Sequence, residues 1–78
     1  MDEKEIRVIA HAGYRSEESP RAFFLKGTRV DVVKLLDQWI EQTPPARNNK
    51  RYFKVKGSDF RAHTLYYDEE LMAWFYCN

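Results

Sequence analysis

A chain of 78 residues has room for one domain, spanning residues 1–78. Its formal net charge is +1, its one cysteine excludes an intramolecular disulfide, and no apolar run approaches the roughly 18 residues a membrane helix needs. The lone Cys77 suits a reducing compartment, and the opening MDEKEIRVIA lacks a signal peptide's plan. The expectation is therefore a cytoplasmic protein.

In chain order, residues 5–13 read as a strand. Ile6, Val8, Ala10 and Ala12 alternate with Glu5, Arg7, Ile9 and His11, and Gly13 breaks the run. Residues 14–20 form a polar loop closed by proline. Residues 21–26 are a second strand in which Phe23 and Phe24 face opposite ways. Gly27 then supplies a turn.

The spacing predicts an amphipathic helix over residues 32–42. At about 100° per residue, Val32, Val33, Leu35, Leu36, Trp39 and Ile40 share an arc of about 160°. Asp31 would cap its start, and Thr43-Pro44-Pro45 would end it. Residues 43–50 are a loop. Residues 51–56 alternate again, with Phe53 and Val55 opposite Tyr52, Lys54 and Lys56. Gly57-Ser58-Asp59 makes a hairpin turn. Residues 60–67 and 71–77 complete the strands, joined by a turn at Asp68-Glu69-Glu70.

The predicted fold is therefore α+β, in the order ββαβββ. One helix packs on a curved antiparallel sheet, with Trp39 and Leu36 against Ile6, Val8, Phe53 and Val55. The alternative is a small β-barrel plugged by the helix.

Several pieces together resemble a pattern found in a family of short, uncharacterised bacterial proteins. They are Pro20-Arg21-Ala22-Phe23, Gly27, Leu35-Leu36-Asp37-Gln38-Trp39, Tyr52-Phe53-Lys54-Val55, Tyr67-Asp68-Glu69-Glu70 and Trp74. The resemblance covers most of residues 20–76. It is a pattern of fold residues and implies no catalytic or cofactor chemistry. Gln38 and Ser19 stand where that pattern would have arginine.

The candidate chemistry is sparse. His11, His63 and Cys77 are scattered, without the short spacing of a zinc site, so no metal is expected. The histidines read as surface strand residues. There is no nucleophile motif and no phosphate-binding glycine loop. Asp68, Glu69 and Glu70 sit where solvated turn acids belong. Neither enzyme activity nor a cofactor is expected.

Charge is uneven along the chain. Residues 47–63 hold Arg47, Lys50, Arg51, Lys54, Lys56 and Arg61 against Asp59, a net of +5. The alternative function is a single-stranded nucleic-acid-binding module on the basic hairpin 50–61, where Lys50, Arg51, Lys54, Lys56 and Arg61 would follow phosphates and a base would stack on Tyr52. Lysines on a solvated strand face also protect it from aggregation.

The preferred expectation is a protein-interaction or accessory domain that pairs with itself or another protein. A core of this size rarely supplies more than about 3–5 kcal/mol. The final strand is apolar on both faces, and surplus apolar surface marks association. Phe24, Phe75 and Tyr76 are the expected contact residues.

Overall fold

The computed structural model describes residues 4–10, 19–43 and 48–77. These form seven strands: β1 (Lys4–Ile6), β2 (Val8–Ala10), β3 (Pro20–Leu25), β4 (Thr28–Thr43), β5 (Asn48–Gly57), β6 (Ala62–Asp68) and β7 (Ala73–Cys77). All neighbours pair antiparallel, in the order β1-β7-β6-β5-β4-β3-β2.

β1 and β2 are two halves of one extended segment, broken at Arg7. One half pairs with β7 and the other with β3. Between them the Arg7 carbonyl accepts the Phe24 N–H at 3.0 Å. The segment thus bridges the two ends of the sheet and nearly closes it into a barrel, which removes most of the open edge.

The α+β expectation is corrected: residues 32–42 lie within the 16-residue strand β4, and no helix occurs among the described residues. The barrel of the alternative is present, but its helical plug is not. The reason is local. Pairing of β4 with β5 slips between Val32 and Lys34 and again between Leu35 and Asp37. Each slip is a bulge that inserts one residue and shifts the alternation. Val32, Leu35 and Gln38 therefore share one face at a spacing of three, as Lys34 and Asp37 do on the other. A strand bulged every third residue imitates the 3.6-residue helical period. Val32, Val33, Trp39 and Ile40 also favour a pleated backbone. Trp39 and Leu36 do not seat on the core; they are 38% and 43% exposed.

The core lies inside the barrel. Phe23, Val30, Phe53, Val55, Leu65 and Trp74 are buried together, and Ile6, Val8, Val32, Tyr67 and Tyr76 pack against them. Register explains the grouping. Phe23 faces Val30, Phe53 faces Leu65, Val55 faces His63, and Tyr67 faces Trp74 across neighbouring strands. Directly opposed residues project to the same side.

Two turns set the strand ends. Lys26 and Gly27 both have positive φ, 53° and 81°, as a twist-matched two-residue hairpin requires. Gly57 is needed for space. A methyl group there would lie 2.6 Å from Val30 Cγ1 and 2.7 Å from Asp59 Oδ1. The turn after Gly57 is wider than the predicted three residues. The Gly57 N–H bonds the Arg61 carbonyl at 2.9 Å, which places Phe60 within the turn at φ 65°.

His11, Gly13, the loop at residues 14–18 and residues 44–47, with Arg47, lie outside the described residues. Among the described residues no helix is long and apolar enough to cross a membrane.

Candidate protein interface

The outer face of the barrel carries a row of aromatic rings, one from each of four neighbouring strands. Trp39 faces Tyr52, Tyr52 faces Tyr66, and Tyr66 faces Phe75. Their ring centroids are 5.3, 5.0 and 5.1 Å apart, with interplanar angles of 7°, 32° and 17°. The rings stand side by side, so each inner ring has its faces occupied by its neighbours. Tyr66 is consequently buried although it points outward. The Lys50 ammonium lies 5.3 Å from its ring centroid. At the β4 end of the row the Trp39 Nε1–H donates to Glu41 Oε2 at 3.1 Å.

The structure divides the basic residues of the β5–β6 region. Lys50, Tyr52, Lys54 and Lys56 share the outer face. Arg51 turns to the other side and is held by Glu69, Nε to Oε2 at 2.5 Å. Arg61 sits in the turn, where its N–H reaches Asp59 Oδ1 at 3.1 Å. Cross-strand neighbours temper Lys50 and Lys54, whereas Lys56 faces another cation, Lys34. Asp37 lies opposite Lys54, and Glu41 and Asp68 flank Lys50. Opposed charges at such positions offset one another. The inner rings of the row are stacked on their neighbours, and Lys54 and Lys56 stay exposed beside them.

The three residues expected at an interface are spread apart. Phe24 is half-buried on β3, with the Arg7 guanidinium 5.4 Å from its ring centroid. Phe75 ends the aromatic row. Tyr76 turns into the barrel and packs against Phe23. Phe24 and Tyr76 both line one groove of about 540 Å³, with Ile6 and Leu25.

A larger apolar surface lies on β4. β3 pairs with β4 only through Thr28–Asp31. Beyond Asp31, β5 holds one edge of β4, and among the described residues no strand pairs with the other. That free stretch exposes Val33 (60%), Leu35 (41%), Leu36 (43%), Trp39 (38%) and Ile40 (57%). A long apolar edge strand is a template for another strand, which proteins ordinarily blunt. The sequence signal for this surface was present in its apolar residues, but a helical reading turns them inward. Phe60 was missed as well. It is 86% exposed in a left-handed backbone conformation that a bulky side chain rarely adopts.

His63 is buried rather than a surface residue. Its Nε2 lies 3.1 and 3.0 Å from the two Asp59 carboxylate oxygens, and its Nδ1 lies 2.9 Å from the Tyr76 hydroxyl. A carboxylate only accepts, so Nε2 carries the hydrogen, and Tyr76 can donate to Nδ1. The bond to His63 holds the Asp59 carboxyl below its ordinary value, while burial raises Tyr76. Phe23 packs edge-on against the imidazole at 5.0 Å. The relay ties the β5–β6 turn to β7. Among the described residues no group of three histidine, cysteine or acidic side chains converges as metal ligands would.

No family model matches the chain, and neither does any curated protein or solved structure.

Proposed function

We propose that this chain is a small, non-catalytic interaction domain that self-associates through the free edge of β4. The observation that carries the reading is the combination on one strand of an edge left unpaired among the described residues and five exposed large apolar side chains. Adding a strand satisfies the open backbone groups and covers the apolar side chains at once. A small barrel gains most from this, because its own core buries a modest share of its surface. Cys77, the single cysteine of the sequence, is compatible with a reducing, cytoplasmic setting.

Sedimentation of the whole chain over a concentration series tests the proposal. A monomer–dimer equilibrium is expected, and Leu35→Lys with Ile40→Lys should shift it strongly to monomer. A wild-type chain that stays monomeric at millimolar concentration overturns the reading. So does salt-sensitive binding of short single-stranded DNA or RNA that depends on Lys54 and Lys56 in a monomeric chain, because that assigns the surface to nucleic acid.

A further inference from the structure

Self-association through β4 leaves open how two copies align, and here the strand itself is informative. Resting on that reading, we propose that β4 pairs antiparallel with β4 of a second copy about a two-fold axis at Gln38. Geometry limits the choices. β3 occupies the edge up to Asp31, and β4 ends at Thr43. Residues facing each other across the new ladder must project to the same side of the sheet. The bulge between Leu35 and Asp37 must therefore be counted.

With Gln38 facing Gln38, Asp37 faces Trp39. Beyond the bulge Leu35 faces Ile40, Lys34 faces Glu41, and Val32 faces Gln42. This register engages the whole free edge. It sets the two exposed aliphatics of the inward face against each other and creates two Lys34–Glu41 pairs per dimer. Neighbouring registers are worse. An axis at Trp39 sets Asp37 against Glu41. One at Asp37 opposes that carboxylate to its own copy. One at Leu35 runs Trp39 into the edge that β3 already holds, and one at Ile40 leaves Leu35 and Leu36 uncovered. Charge complementarity and full use of the edge thus select a single alignment. The occupant is a second copy of this chain, because the strand is complementary to itself.

Two measurements on the full chain test the register. In a Cys77→Ser background, Gln38→Cys should form an intermolecular disulfide on mild oxidation, since the two residues face each other within bridging range. Glu41→Cys should not, because its counterpart lies about 20 Å away along the ladder, at roughly 3.4 Å per residue. Lys34→Glu or Glu41→Lys alone should weaken the dimer roughly three- to tenfold, and the two together should restore it. A dimer that cross-links through Glu41→Cys, or that ignores the charge exchange, overturns this register while leaving self-association standing. Absence of any dimer overturns self-association itself.

Discussion

Asp59 is a residue whose contact has a consequence in bulk solution. Its carboxylate meets the buried His63 imidazole, and that bond lowers its pKa from the ordinary value. A depressed carboxyl pKa stabilises the fold at pH values above the unfolded value of about 4. The stabilisation is lost as pH falls through the lower, folded value. Tyr76, at the other end of the relay, acts in the opposite direction. Burial raises its pKa, so its contribution is intact below about pH 10 and lost as pH rises through the folded value. The expected outcome is that Asp59→Asn flattens the acid limb of the stability–pH curve, measured by urea unfolding from pH 2.5 to 7. The alkaline limb should persist in that variant but shrink, because burial of Tyr76 remains while the Asp59 charge that also raises it is lost. An acid limb unchanged by the substitution would remove Asp59 as its source.

At the scale of the element, β4 shows what the sequence can and cannot reveal. The regular strands were legible because their alternation is unbroken. Phe53 and Val55 read as inward and Lys54 and Lys56 as outward, and the register places them so. Gly27 read as a turn residue and has positive φ. β4 was not legible because a bulge changes the phase of the alternation without changing composition. Two bulges three residues apart give the apolar spacing of a helix. The inward face was then inferred for residues that lie along an open edge. The aromatic row was hidden for another reason: Trp39, Tyr52, Tyr66 and Phe75 are far apart in sequence and meet only through strand register. This placement sets different stakes for two large side chains. Leu65 is fully buried, so Leu65→Ala should cost about 2–5 kcal/mol in urea melts. Trp39 is stacked on one side and partly exposed. Trp39→Ala should cost only about 1–2 kcal/mol, the ring pair plus a partial burial. A Trp39 loss equal to that of Leu65 would mean that the tryptophan is enclosed.

For the whole molecule, closure and the free edge together define a gradient of local stability. β5 and β6 have a strand on each side. Among the described residues, three-residue β1 pairs with β7 alone, and the far part of β4 pairs with β5 alone. Amides in strands paired on both sides open mainly through global unfolding, whereas singly paired edges open locally at lower cost. Hydrogen exchange on dilute protein should therefore be slowest in Phe53–Val55 and Leu65–Tyr66, and faster in residues 4–6 and 33–42. Raising the concentration separates the two weak regions. Pairing of β4 with a second copy would protect residues 33–42, because binding to the folded state adds to the cost of opening them. β1 lies outside that ladder, so its exchange should change little. Protection appearing in β1 and the neighbouring groove at Phe24 and Tyr76, with β4 unaltered, would place the contact at the barrel closure instead. Protection confined to β4 would assign the association to its open edge.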